Sequence, residues 1–324
     1  MYSLFEAFCC QKEKSKSDHD DQNIGLLDMP DLVMRETLAN CDLMSILRLT
    51  KVCRALYHFI SRSPQSTKVN SLRVSVREDE VHVYMYYFKP YYETILIRFH
   101  YNENGCFVVR NQVERFLRNE DFVSIACMNL NFCIRYIGTL LRFEIDQYQS
   151  DGFPSDFKAS RWNRLQSAFC GFKRSPLPLP SQDEITNRVV DTIESCLQFR
   201  RRPIKVSTLT MSLKEPYPNF LNLIDPKSLD HLSIWKFQKF PEFDARRLIN
   251  LWTLRLSATF SNPIQDFFHI KNVYLTVESI SKEEVLEIKE ARYSASSHHR
   301  TSFSAFYDSF YYSTYTNNHN VRKF

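Results

Sequence analysis

Glycine is scarce in this chain, with five in 324 residues, against a usual fraction of about 7%. The five stand at positions 25, 105, 138, 152 and 171, never two together. Phosphate-cradling loops, dinucleotide-binding turns and nucleophile elbows need clustered glycines, because the backbone must turn sharply or approach its ligand closely. Those enzyme classes are excluded. Metal-ligand spacings are missing too. The nine cysteines contain no CxxC, and the nine histidines form no HxxxH or HExxH. Charge of one sign is not in excess: 42 basic and 37 acidic residues leave a net charge of +5. That is mild for a nucleic-acid binder, and the densest basic cluster, Arg200-Arg201-Arg202 with Lys205, reads as a solvated turn after a helix. The longest apolar stretch, residues 122–143, is broken by Asn129, Asn131 and Arg135. It is too polar to cross a bilayer and reads as buried core, Cys127 and Cys133 included.

What is present divides the chain into four parts. Residues 11–23 are polar and low in complexity, and residues 1–23 read as a flexible tail. They lack the basic start and apolar run of a signal peptide. With an odd number of cysteines and no disulfide framework, the chain reads as a reduced, intracellular protein of cytoplasm or nucleus. Residues 24–64 form a small helical module. Pro30 suits a helix start, Val33, Met34, Leu38 and Cys41 follow at helical spacing, and Asp42 reads as the cap of a second helix. Leu43, Ile46 and Leu47, then Val52, Cys53, Leu56, Phe59 and Ile60, continue the period. So short a unit cannot hide all these apolar residues, and the surplus implies a partner surface.

From residue 68 to 290 the pattern predicts a larger mixed unit. Period-two runs over 72–110 break at 77–79, at Lys89-Pro90 and at 102–105, as a strand meander does. Ser181 with Glu184 forms a capping-box signature ahead of a helix over 182–199. A loose repeat follows: Val206-x-x-Leu209-x-Met211, then copies starting at Leu229, Leu251 and Ile270, offset by 23, 22 and 19 residues. Leu140-x-x-Phe143-x-Ile145 makes a possible earlier copy. LxxLxL at a period of roughly 20–29 residues is the leucine-rich-repeat signature. Ordinary strands of a mixed α+β domain are the alternative. A short helix is expected over 281–290, and residues 291–324 read as a disordered tail.

Residues 26–62 resemble the F-box. The run Leu27-Asp28-Met29-Pro30-Asp31-Leu32-Val33, continuing through Leu38, Cys41, Leu43, Ile46-Leu47 and Val52-Cys53-Arg54, follows that family's pattern without a gap. Met29, Thr37 and Leu56 depart from its usual Leu, Ile and Trp. The rest, about 70–290, is similar to the FTH domain of the nematode F-box A family. The carrying residues are the strand block ending near Tyr101–Cys106, the run Asp225–Ile234, and the closing Ile280–Leu286.

The resemblance implies an α+β protein: a three-helix F-box module, a strand-rich segment, then an irregular leucine-rich-repeat-like α/β solenoid. It implies docking on the Skp-type adaptor of a cullin ubiquitin ligase through Leu27, Pro30, Val33, Leu38, Leu43, Leu47 and Val52, as docking or supporting residues. It further implies recruitment of a target protein for ubiquitination. A scaffold that binds the adaptor or other partners without ubiquitin transfer fits the same residues.

If the repeats are real, the residues between their apolar positions form three outward ladders. These are Thr208, His231, Thr253 and Asn272; Thr210, Ser233, Arg255 and Tyr274; and Ser212, Trp235, Ser257 and Thr276. Trp, Tyr and Arg are enriched at binding hot spots. The substrate-binding candidates are therefore His231, Ser233, Trp235, Arg255 and Tyr274, with Trp235, Arg255 and Tyr274 as anchors. No catalytic, cofactor-binding or metal-binding residue is expected, and neither nucleic acid nor membrane is an expected partner.

Overall fold

Apolar residues at helical spacing wind three short helices in the N-terminal module of the computed structural model: α1 (Asp31–Ala39), α2 (Leu43–Val52) and α3 (Arg54–Arg62). The structure describes residues 29–41, 43–62, 69–88, 92–148, 178–200, 202–215, 217–240, 244–260, 263–277, 283, 286–287, 290 and 302–307. The 1–23 segment, Leu27 and Asp42 lie outside these residues. Pro30 occupies the cap position of α1, one residue earlier than a first helical position. Met34, Leu38, Leu43, Ile46, Leu56 and Ile60 are buried and join one hydrophobic core with the rest of the chain. Leu56 thus fills the interior in place of a larger ring. Thr37 stays exposed, and its hydroxyl donates to the Val33 carbonyl at 2.9 Å.

Alternating residues then build β1 (Val69–Val76), β2 (Glu80–Phe88), β3 (Tyr92–Asn102), β4 (Gly105–Arg110) and β5 (Val113–Arg118). The breaks fall where the alternation stops. A Cβ at Gly105 would lie 2.0 Å from the Leu117 carbonyl oxygen, so only glycine lets β4 approach β5 there. β5 escapes a pattern reading because it is an edge strand with no fully buried residue. The apolar run after it becomes α4 (Phe122–Tyr136) and β6 (Thr139–Gln147). After α5 (Gln182–Gln198) come β7 (Lys205–Ser212), the short α6 (Pro218–Asn222), β8 (His231–Phe240), β9 (Thr253–Phe260), β10 (Asn272–Val277) and β11 (Ser302–Tyr307). Ser181 caps α5 as expected, its hydroxyl accepting from the Glu184 amide.

Three expectations need correction. First, within the expected 68–290 unit the strand-rich segment and the repeats do not simply follow one another. All eleven strands form one sheet, in the order β11-β10-β9-β8-β7-β6-β1-β2-β3-β4-β5. β1 runs antiparallel to β2 and parallel to β6, so both its edges are paired and it fuses the meander to the parallel half. Second, residues 302–307 lie within the expected tail yet form a strand parallel to β10. The open edge of β10 presents unpaired N–H and C=O groups that a strand-forming run satisfies. Third, Arg200 is not a solvated turn residue. Its guanidinium donates to the Ile134 and Ile137 carbonyls, each at 2.7 Å, at the C-terminus of α4. Burial lowers its pKa. A cation there complements the negative end of the helix dipole. At the other end of α4, Arg188 of α5 pairs at 2.6 Å with Asp121, whose carboxylate caps the Val123 and Ser124 amides. Two arginines thus fasten α4 at both ends.

The possible early repeat copy is real in register: Leu140, Phe143 and Ile145 of β6 pair with Val206, Leu209 and Met211 of β7. These apolar rows are buried across the parallel half. Residues 149–177 lie outside the described residues.

Candidate functional site

Two surfaces carry the candidate residues. The first is the helical module. Pro30 is exposed, as are Val33 at 46% and Val52 at 69%; Leu32 beside them reaches 71%. Leu38 and Leu43 are fully buried. In this chain they support the module from inside and present no side chain to a partner. The side chain of Leu47, and all of Leu27, lie outside the described residues.

The second surface is the open face of the sheet, opposite the apolar rows. The repeat ladders assemble there in the expected register. Thr208 pairs with His231, His231 with Thr253, and Thr253 with Asn272. Thr210, Ser233, Arg255 and Tyr274 form the next row, and Ser212, Trp235 and Ser257 the third. His231 and Arg255 are exposed; Ser233, Trp235 and Tyr274 are half-buried. The Arg255 guanidinium stacks on the Tyr274 ring at 5.1 Å from its centroid. All five substrate-binding candidates therefore share one face.

The same rows continue onto β6, β1 and β2, which pattern reading did not foresee. Arg142, Glu144 and Asp146 stand beside Thr208, Thr210 and Ser212, and Ser71, Arg73 and Ser75 come next. Here the charges neutralise one another. Arg73 bonds Asp146 at 2.6 Å, lies 3.6 Å from Glu144, and sits 5.8 Å above the Tyr84 ring. Arg142 pairs with Glu144. Partial burial opposes the Arg73 cation, but the bond and charge of Asp146, with Glu144, outweigh it and raise its pKa.

At the far end of β2, Glu80 is buried between two histidines. Its carboxylate accepts from His100 Nδ1 at 2.8 Å and from His82 Nε2, and Arg77 lies 3.8 Å away. Tyr84 is 3.2 Å from His82 Nδ1. Burial alone would raise the Glu80 carboxyl; the hydrogen bonds from His100 and His82 overcome it and hold the group well below the usual carboxylate range. Burial lowers the His82 imidazole against the pull of Glu80. Glu80, His82 and Tyr84 alternate along one strand, a signal legible in the sequence. Their meeting with His100 depends on the β2–β3 register, which is not.

A further pair was missed at the lip where β9 and β10 begin. Trp252 is 49% exposed, and the Lys271 ammonium lies 3.7 Å from its ring centroid. These residues occupy the first variable position of LxxLxL, just ahead of the three ladders. The repeat pattern itself could have pointed to them.

With this geometry in place, two family matches define the class. An F-box domain covers residues 26–65 and an FTH domain covers residues 187–324. The chain thus carries an F-box domain with an FTH domain behind it, in the expected order. The FTH match takes in β11 and runs past the 290 boundary expected from the pattern. An F-box points to docking on the Skp adaptor of a cullin ubiquitin ligase, a non-catalytic place in that assembly. No curated protein and no solved structure matches the chain. Among the described residues, no helix is long and apolar enough to cross a membrane, and no cluster of metal-ligating side chains occurs.

Proposed function

We propose that this chain is the substrate-recognition adaptor of a Skp/cullin/F-box ubiquitin ligase and a member of the F-box A family. The observation that carries the reading is the F-box match over a module whose interior is already filled. Leu32, Val33 and Val52 remain outside, too apolar to be a solvated face by choice of composition. Pro30, Val33 and Val52 dock on the adaptor, with Leu27 and Leu47 beside them; Leu38 and Leu43 hold the helices under that surface. The open sheet face holds the target through His231, Ser233, Trp235, Arg255 and Tyr274. Catalysis is positional: the adaptor raises the effective concentration of a target lysine near the ubiquitin-loaded enzyme.

The test is co-purification of the full chain with a Skp adaptor, native against Val33→Asp with Val52→Asp. Both positions are exposed, so the variant keeps its fold. Capture by the native chain and at least about tenfold weaker capture by the variant supports the reading. A folded native chain that captures no Skp adaptor overturns it. Capture without ubiquitin transfer in the reconstituted ligase leaves the scaffold role instead.

A further inference from the structure

The open face divides into a neutralised part and a cationic part, and the cationic part suits one kind of ligand. On β6, β1 and β2 the charges are consumed in pairs. On β9 and β10 they are not. Arg255 is exposed and rests on Tyr274; Lys271 rests on Trp252. Among the described residues no ion pair involves either cation. The nearest carboxylate in the strand register, Asp230, precedes β8 and accepts from the Ser207 hydroxyl on its other side. The remaining neighbours, Thr253, Asn272 and Ser257, are neutral. Each cation rests on an aromatic ring, and among the described residues neither enters an ion pair or a side-chain hydrogen bond. Trp252 and Lys271 stand at the lip just ahead of β9 and β10, three residues before Arg255 and Tyr274, so along the chain the two pairs are separated by at most roughly 10 Å of backbone.

We propose that this patch binds an acidic peptide segment of the target, through two carboxylates about 10 Å apart that meet Arg255 and Lys271. This rests on the reading of the open face as the recognition surface. Single cations at that separation match single carboxylates. A phosphate group calls for cations converging on one point. Trp252 and Tyr274 offer flat apolar faces to the residues between the two acids.

The probe is a fluorescein-labelled (Glu-Pro-Pro)4 peptide, with (Gln-Pro-Pro)4 as its neutral twin. Polyproline II brings every third residue to one side at a spacing of about 9 Å. Binding is measured by anisotropy on the full chain, alone and with the Skp adaptor added. The glutamate peptide is expected to bind at least about tenfold more tightly than its twin, and less tightly as salt rises. Arg255→Ala with Lys271→Ala abolishes that preference. Arg246→Ala, an exposed cation paired with Asp266 away from this face, keeps it. Equal binding of the two peptides, no binding of the glutamate peptide, or a preference retained in the double variant overturns the proposal. Adaptor capture is read on the same samples. Lost preference with intact capture removes the acidic-ligand inference alone; lost capture with intact preference removes the ligase reading and leaves the patch.

Discussion

The two halves of the open sheet face are built from the same rows and put their arginines to opposite uses. Arg73, on the strand that joins the halves, spends its donors on Asp146 and Glu144. Arg255, four strands away in the same row, rests 5.1 Å from the Tyr274 ring centroid and enters no ion pair among the described residues. A charge consumed within the fold contributes to stability and is costly to remove. A charge left facing water contributes almost nothing to stability and is available to a partner. The β6–β1–β2 end is therefore the structural end of this face, and the β9–β10 end the one proposed for recognition.

The largest expected effect tests the structural end. Glu80→Gln leaves His82, His100 and Arg77 around a neutral amide, and breaking a buried pair in this way costs about 3 kcal/mol. The pH dependence follows from the sign of the Glu80 shift. A carboxyl held below its unfolded value gives stability that is fully present above about pH 4.5 and is lost as pH falls toward the folded value. Denaturant unfolding should show the gap between native and Glu80→Gln widest at pH 7 and narrowing below pH 4.5. A gap constant down to pH 3 would mean that Glu80 is not held ionised.

Arg73→Met comes next, at about 1–2 kcal/mol, because two carboxylates then face each other without their shared cation. A double-mutant cycle with Asp146→Asn should give a coupling of about 1 kcal/mol. Additive losses would place Arg73 among the merely solvated residues and weaken the contrast. The smallest effect is at Arg255→Ala, within about 0.5 kcal/mol of native by thermal unfolding. A loss as large as that at Arg73 would show Arg255 to be a structural residue and erase the distinction.

The sequence made some of this plain. The helical module, the meander breaks, the α5 cap and the three ladders follow from periodicity, because each depends on neighbours within about 25 residues. The ladders were legible down to individual pairs, since LxxLxL fixes both register and face. What escaped depends on distant partners. Nothing local tells β1 to pair with β6, seventy residues on, and that one pairing joins the strand-rich segment and the repeats of the expected 68–290 unit into one sheet. Arg200 sits in a basic run and shows its role only when α4 ends beside it. Ser302–Tyr307, with two Ser, two Phe, one Ala and one Tyr, does not stand out from the Ser- and aromatic-rich run around it until β10 provides an edge. Leu38 and Leu43 share the apolar character of Val33 and Val52, and composition alone does not say which of them faces inward.

The strand order has one more consequence. Starting from β1, the sheet first spreads one way to β5, then the other way from β6 to β11, and each new strand is laid on the outermost edge. A chain emerging from the ribosome can therefore add its strands in the order they are made, with no insertion between strands already paired. The helices α1–α3 precede the sheet, and the lip of Trp252 and Lys271 is added only after β8. A messenger cut short beyond β6 would yield a narrower sheet that keeps the helices proposed to dock and lacks the face proposed to hold the target.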